Sequence, residues 1–318
     1  MAPLTPSLEA RQLTKQFGAF TALDHLDLKV DGAKCVGFLG PNGAGKTTTL
    51  KMFTDLIFPT AGEAFINGIS VQADRKKALS VCGDLIETPE IYPSLTPREA
   101  LEMSGALRGM RPEEIRARTA TVLEEVKMSD WANQKVGRFS KGMKQRINIA
   151  ASLLSDPEVV ILDEPSTGLD PRGMSEVRDI IRGLKKGHRL IFMSSHILSE
   201  VIDVCDEVAL LNHGKLLLFD TLDNITLRLG AGARGVEVEF ATPIDDAVLA
   251  GRVGALAEVA GWSRVDARHV TLQVKGGPAE QTQLLESLVG LHLGVLNFRE
   301  SRSALEEIYL REITVGDA

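Results

Sequence analysis

Gly40-Pro41-Asn42-Gly43-Ala44-Gly45-Lys46-Thr47, with Thr48 behind it, has the residue types and spacing needed to hold phosphate. Gly40, Gly45, Lys46 and Thr47 fit the pattern of two glycines, a lysine and a hydroxyl, and Asn42, Gly43 and Thr48 belong to the same cradle. Glycines let the backbone curl until successive N–H groups point inward, and a helix starting there adds the positive end of its dipole. Lys46 can then reach the β- and γ-phosphates, and the Thr47 hydroxyl can ligate Mg²⁺. A glycine-rich turn before a helix is the ordinary alternative. With glycine at about 7% of an average chain, a chance match is on the order of one in a hundred. Nucleoside triphosphate binding is the reading that follows.

Such a loop needs a strand before it and a helix after it. Cys35-Val36-Gly37-Phe38-Leu39 is short, apolar and strand-like, and residues 47 to 53 can open a helix. Further on, Val159-Val160-Ile161-Leu162 runs into Asp163-Glu164, as a strand buried on both faces of a parallel sheet does. Alone, two acids at a strand end read as a solvent-facing turn. Beside a phosphate loop, Asp163 can help hold Mg²⁺, and Glu164 can orient or deprotonate the attacking water.

The rest of the chain reads as alternating strands and helices, the order of a mostly parallel sheet with ligands at strand carboxyl ends. Residues 7 to 34 suggest two strands and a turn, with Leu26, Leu28 and Val30 on one face. Asn67-Gly68 closes a short hairpin. Residues 96 to 127 are helical in pattern, with Pro97 in the first turn and Leu101, Met103, Leu107, Ile115, Val122, Leu123 and Val126 as the apolar positions. A second helix opens after Ser140, a third covers 173 to 184, and strands are expected at 189 to 193, 208 to 211 and 216 to 219. The texture changes near 229, where residues 230 to 235 read as a linker. Beyond it a strand at 236 to 240, a helix at 245 to 259, two strands within 265 to 274, a helix at 280 to 291 and a strand at 293 to 298 give β-α-β-β-α-β, a small ferredoxin-like unit. It has no acid–base constellation and reads as a regulatory or interaction module.

Composition bounds the partners. With 318 residues, 44% hydrophobic and 25% charged, the chain has the make-up of a globular protein of two domains. Its net charge of −7 argues against gripping nucleic acid. Cys35, Cys82 and Cys205 lack metal-ligand spacing and read as structural thiols. The N-terminal residues 1 to 6 show no secretory signal, and no run of about 18 apolar residues occurs, so a membrane role needs a partner that supplies the spanning helices.

These segments, in this order over residues 7 to 225, resemble the ATPase cassette of ABC transporters. Phe139-Ser140-Lys141-Gly142-Met143-Lys144-Gln145-Arg146 looks like the family's signature loop and helix. By that resemblance Ser140 and Gly142 meet the γ-phosphate of an ATP held by a partner cassette, and a serine-capped helix N-terminus does favour an anion. Ser166-Thr167-Gly168-Leu169-Asp170 is similar to the D-loop, and Ser194-Ser195-His196 places His196 as the switch histidine. Phe17 stands where the family stacks an aromatic on adenine; a core phenylalanine is its competitor. Lys141 and Met143 replace the common Gly and Gln, and Glu87 replaces the usual Gln in the loop that couples site to membrane partner. A carboxylate at 87 can also bind Mg²⁺ or water. These departures, with Ile86-Glu87-Thr88-Pro89, Tyr92-Pro93-Ser94-Leu95-Thr96 and the tail 304 to 310, resemble the cassettes of bacitracin- and lantibiotic-type exporters.

The resemblance implies an α/β fold: a P-loop NTPase ABC cassette at 1–228 with an inserted helical subdomain at about 88–155, then a small α+β domain at 229–318. It implies ATP and Mg²⁺, Glu164 and His196 as catalytic residues, and Thr47, Asp163 and Glu87 around the metal. It also implies a second cassette, with a homodimer favoured, and a polytopic permease that holds the chain at the cytoplasmic face of the membrane. A soluble ABC-type ATPase acting on ribosomes or DNA is an alternative, as are a non-catalytic nucleotide switch and an importer cassette. The first usually carries two cassettes, coiled-coil insertions or basic extensions; the second is opposed by Glu164 and His196.

Overall fold

The computed structural model describes residues 5–87, 89–229 and 233–300, so Thr88, residues 230–232 of the expected linker and the tail 304–310 lie outside the described residues. The chain forms two compact units, the first ending at Thr221 and the second beginning at Leu222.

In the first unit, β1 (Ser7–Phe17), β2 (Phe20–Asp31), β4 (Ala61–Ile66) and β5 (Ile69–Ser70) form an antiparallel sheet in the order β2-β1-β4-β5. Leu26, Leu28 and Val30 point inward from β2 as the alternation requires, and Asn67 and Gly68 both take positive φ, 51° and 73°, in the hairpin turn. The second sheet holds β3 (Cys35–Leu39), β6 (Cys82–Leu85), β7 (Val159–Leu162), β8 (Leu190–Ser195), β9 (Glu207–Asn212) and β10 (Lys215–Thr221), ordered β10-β9-β3-β8-β7-β6. All neighbours are parallel except the edge pair β9 and β10. Strands β3, β7 and β8 are buried along their whole length, which explains their unbroken apolar runs. Phe38 and Phe192 stack at 5.2 Å between centroids across β3 and β8, and Phe53 closes on Phe192 at 6.3 Å.

Helices α1 (Lys46–Phe53), α2 (Arg75–Ser80), α3 (Pro97–Leu107), α4 (Pro112–Glu125), α5 (Lys141–Leu153), α6 (Pro171–Lys185) and α7 (Leu198–Val204) complete this unit. The stretch expected to be helical from 96 to 127 is two helices. Gly109 takes φ 75° after α3 ends, and Pro112 starts α4 at a position where no N–H is needed. Thr96 opens α3 with a capping box, accepting from Glu99 N while Glu99 accepts from Thr96 N. Of the expected apolar positions, Met103 is 40% and Leu107 82% exposed, so the buried stripe is narrower than the sequence suggests.

The second unit runs α8 (Leu222–Leu229), β11 (Ala233–Phe240), α9 (Asp246–Val248), β12 (Val259–Arg264), β13 (His269–Lys275), α10 (Pro278–Gly290) and β14 (Val295–Glu300). After α8 the element order is β-α-β-β-α-β, with an antiparallel sheet ordered β12-β13-β11-β14 over a core that includes Val236, Val238, Phe240, Leu272 and Leu284. The helix expected over 245 to 259 is cut short. It continues only as a π turn, in which Gly254 N donates to the Leu249 carbonyl at 2.6 Å, and Val259 already starts a strand. Gly251 and Gly254 lower helix propensity enough for sheet pairing to win. The two expected strands within 265 to 274 shift accordingly to 259–264 and 269–275.

Asp266 holds the turn between them, its Oδ1 accepting from Arg268 N at 2.8 Å and His269 N at 2.9 Å. The Arg268 N–H, the His269 side chain and the His269 N–H together hold its carboxyl at about 2. A depressed carboxyl stabilises the fold fully above its unfolded value near pH 4 and loses that contribution as pH falls toward the folded value. Chemical-shift titration of Asp266 is therefore expected to give a midpoint near 2, and Asp266→Asn to flatten the acid loss of stability of this turn between about pH 4 and 2.

Candidate active site

Parallel register brings three strand ends together. β8 lies between β3 and β7, pairing Leu39 with Ser195 on one side and Leu162 with Met193 on the other. The segments after Leu39, Leu162 and Ser195 thus share one edge of the sheet, and they carry the phosphate loop, Asp163-Glu164 and His196.

At the first edge, the Gly40 N–H donates to the Ser195 carbonyl at 3.4 Å, and any Cβ on Gly40 would collide with the Leu211 carbonyl. Gly45, at φ 105°, is pressed equally close to the Ala22 carbonyl. Only glycine fits either place. Asn42 and Gly43 are exposed, and Thr47 and Thr48 half-buried. α1 begins at Lys46 with no side-chain cap, so its first N–H groups point freely into the loop. Lys46 is 4% exposed and curls back over the loop, its Nζ donating to the carbonyls of Gly40 at 2.8 Å and Pro41 at 3.0 Å. The same amine stands 3.6 Å from Glu164 Oε1. Burial lowers its pKa, and the nearby Glu164 partly opposes that.

The two acids are organised by Ser194, a residue to which the sequence reading gave no role of its own. Ser194, buried in β8, donates from Oγ to Asp163 Oδ1 at 2.6 Å and accepts the Glu164 N–H at 2.9 Å. Its one signal in the sequence is a hydroxyl inside an apolar strand, and the meaning of that hydroxyl depends on which strand lies next door. Glu164 takes φ 43°, in the left-handed region, which turns its side chain out of the strand direction. Its Oε2 accepts from Thr167 Oγ1 at 2.8 Å and meets His196 Nδ1 at 3.1 Å. Burial alone would raise this carboxyl, but the Thr167 hydrogen bond and the charges of His196 and Lys46 bring it below the usual range. Glu164 is therefore an ionised acceptor at neutral pH.

The other expected residues stand as follows. Phe17 is 51% exposed at the tip of the β1–β2 hairpin, with Lys15 Nζ 4.9 Å from its ring centroid, so the core-packing alternative is set aside. Ser140 is exposed and caps α5, accepting from Met143 N at 3.2 Å, while Gly142 is buried in the first turn. No hydrogen bond among the described residues joins either to Lys46, Glu164 or His196. Glu87 is exposed and at φ 59°, and its Oε1 pairs with Lys51 Nζ of α1 at 2.6 Å. Thr47 and Asp163 are both hard oxygen donors, and the Thr47 hydroxyl has no hydrogen-bond partner among the described residues, so the two suit Mg²⁺ chemically.

Ser194→Ala would leave Asp163 Oδ1 and the Glu164 N–H short of a partner, at roughly 1–3 kcal/mol for a buried group. A fall in ATP turnover of at least about tenfold is expected, with nucleotide affinity changed far less. Parallel measurement of steady-state rates and nucleotide binding checks it.

Residues 23–167 match the family model described as ABC transporter. The bacitracin transport ATP-binding protein BcrA of Bacillus licheniformis is 41% identical over 222 residues, covering 70% of this chain and 72% of that protein. The daunorubicin/doxorubicin resistance ATP-binding protein DrrA of Streptomyces peucetius is 30% identical over 312 residues, covering 96% of this chain and 92% of that one. A solved ATP-binding subunit of an ABC transporter superposes with a TM-score of 0.61 at 31% identity, over 70% of this chain and 92% of that structure. The family's fold and the site geometry agree: the chain belongs to the ATP-binding cassettes of ABC transporters and is an ATP-binding, ATP-hydrolysing subunit.

Proposed function

We propose that the chain powers export of an antibiotic or related amphiphile through ATP-driven pairing of two cassettes beneath a separate polytopic permease. Its relatives named for bacitracin transport and for daunorubicin/doxorubicin resistance support the substrate class, and likeness to the latter spans both units. No helix among the described residues is long and apolar enough to cross a membrane, which agrees with a permease supplying the pathway and holding the chain at the cytoplasmic face.

One observation carries the composite site. Lys46, Glu164 and His196 converge within a single chain, whereas Ser140, exposed at the start of α5, makes no hydrogen bond to any of them. Each complete site then takes the phosphate loop, Lys46, Thr47, Asp163, Glu164 and His196 from one chain and Ser140 and Gly142 from the other. Gly40, Asn42, Gly43, Gly45 and Thr48 supply the cradle, and the exposed Phe17 face stacks on adenine. Thr47 and Asp163 would hold Mg²⁺, which would supply charge neutralisation for the phosphates. Glu87, whose Oε1 pairs with Lys51, serves the coupling loop and would offer its other oxygen to the metal or a water on it. Glu164, kept ionised, accepts a hydrogen bond from the attacking water and orients it in line with the γ-phosphate, while His196 faces the transferring group. Two identical chains suffice for two such sites.

Glu164→Gln keeps the shape and removes the charge, and is expected to trap an ATP-bound dimer with turnover reduced by about 10²-fold or more. Wild-type turnover in that variant would remove Glu164 from its role. Lys46→Ala deletes a charge-assisted bond of roughly 1.5–3 kcal/mol, so ATP affinity should fall on the order of ten- to a hundredfold; unchanged affinity would exclude Lys46. Capture of Glu164→Gln with ATP from detergent-solubilised membranes separates the classes. A polytopic membrane protein in near-equal amount supports the exporter; ribosomal or DNA-bound proteins without one would move the chain to the soluble ATPases.

A further inference from the structure

Glu200, in the first turn of α7, is 3% exposed, a degree of burial that a glutamate rarely reaches without a partner. Its Oε2 accepts from Ser195 Oγ at 2.8 Å, and its Oε1 has no hydrogen-bond partner among the described residues. The Ser195 hydroxyl is buried as well, and it accepts the Ile197 N–H at 2.9 Å. That second bond closes a turn over Ser195, His196 and Ile197, with His196 at its centre. His196 in turn meets Glu164 Oε2 at 3.1 Å.

We infer that Glu200 is a positioning residue for His196: by holding the Ser195 hydroxyl it closes the turn around that histidine and so aims the imidazole across the site. This role rests on the one given to His196 above. The Ser195 hydroxyl has a single proton and a choice of acceptors, Glu200 Oε2 at 2.8 Å and the Ile197 carbonyl at 3.3 Å. The first distance is ordinary for a hydroxyl donor and the second lies beyond that range, so the proton goes to Glu200 and a lone pair stays turned toward the Ile197 N–H. Without Glu200 the hydroxyl swings to the Ile197 carbonyl, and the turn around His196 slackens. The Ser195 backbone itself is held independently, since β8 pairs it with Leu39 and its carbonyl accepts the Gly40 N–H. Glu200 therefore controls the turn after the strand and leaves the phosphate loop beside it in place. The acid is anchored in its own right. Its neighbour Val201 packs on β3 so tightly that a Cβ on Gly37 would stand 2.5 Å from Val201 Cγ1. The direction of His196 is in this way referred to the strand that carries the phosphate loop. Misplacement of a catalytic group by about 1 Å can cost on the order of 10²-fold in rate.

In the full chain, Glu200→Leu removes the hold on Ser195 together with the unpartnered Oε1, and fills the same space with apolar atoms. It is expected to lower kcat at least about tenfold while KM for ATP stays within about twofold and the melting temperature stays near wild type. Glu200→Gln keeps an acceptor oxygen for the hydroxyl and should remain within about threefold of wild-type kcat. Ser195→Ala deletes the hydroxyl and should slow turnover as Glu200→Leu does. The two together should be no slower than the slower single, because both break one connection. Among the six histidines, the ring-proton resonance of His196 is identified by its loss in His196→Ala. That resonance should move in Glu200→Leu and in Ser195→Ala and stay in place in Glu200→Gln.

Wild-type kcat in Glu200→Leu or in Ser195→Ala overturns the positioning role. So does a Glu200→Gln variant as slow as Glu200→Leu, since the hydroxyl's acceptor would then be irrelevant. A double variant whose loss is the product of the two single losses also overturns it, as does a loss of rate with the His196 resonance unmoved. If Glu200→Leu does not fold, Ser195→Ala decides by its rate and its resonance. Wild-type turnover in His196→Ala refutes the role of His196 and that of Glu200 with it; a slow His196→Ala beside an unaffected Glu200→Leu refutes the positioning alone.

Discussion

Lys46 is 4% exposed, and an ammonium removed from water to that degree needs oxygen atoms on every side to remain charged. The carbonyls of Gly40 and Pro41 and the carboxylate of Glu164 supply them. Much of the first unit can be derived from that need. The loop must curl tightly enough for its own carbonyls to face the lysine, which requires glycine where Gly40 meets Leu211 and where Gly45 meets Ala22. The carboxylate must come from another part of the chain, which requires β8 to stand between β3 and β7 and the three strands to end level. A parallel sheet with crossover helices provides that alignment, and its buried strands provide the low-dielectric wall that gives the charges their leverage.

The same crowding creates a problem of like charge. Asp163 and Glu164 are consecutive, and two carboxylates facing one way would repel each other and push one toward protonation. The left-handed turn at Glu164 and the Ser194 hydroxyl resolve this together. Ser194 takes one Asp163 oxygen on its donor side and the Glu164 N–H on its acceptor side, so the acids diverge from a common hinge. A non-glycine residue at φ 43° costs roughly 1–3 kcal/mol, and it persists because Thr167, His196 and Lys46 hold the carboxylate where that backbone places it. Strain and charge pairing here have a common cause.

How much of the molecule is legible in the sequence depends on whether a residue's meaning is local or tertiary. The phosphate loop is legible because one contiguous stretch carries its turn chemistry, its lysine and its helix start. Strand β7 is legible because an apolar run ending in two acids suits a fully buried parallel strand far better than a helix or a surface strand. Serine caps and hairpin turns are local in the same way, as Ser140 and Asn67-Gly68 illustrate. Ser194, Thr167 and Gln145 are different: each lies in a motif that the sequence shows, but what its side chain holds depends on the strand or turn beside it. The shortened helix at 245 to 259 has another origin. Its apolar positions suit a helix, but Gly251 and Gly254 weaken that choice and pairing of β12 with β13 decides against it. Likewise Leu107 fits a helical stripe by spacing and is nevertheless 82% exposed, because periodicity says which residues share a face but not how much of that face is covered.

The division of labour within the chain then bears on why hydrolysis should wait for assembly. A carboxylate that is ionised and aimed is already competent to orient water, so an isolated cassette risks turning over ATP without doing work. In this chain the base is shared among donors, and two of them, Lys46 and His196, are also the groups that γ-phosphate would recruit. Under the composite-site reading, nucleotide held by one chain alone would draw on two of the carboxylate's donors. The segment from Pro165 to Gly173 is braced by α5, through the Gln145 amide on the Pro165 carbonyl and the close approach of Gly142 to Gly173. The helix that leads with Ser140 is thus both the piece a partner's nucleotide would press upon and the piece that supports the turn behind Glu164. Under the composite-site reading, a second chain supplies the phosphate ligands at Ser140 and Gly142 that this chain's own site lacks, so productive geometry belongs to the pair.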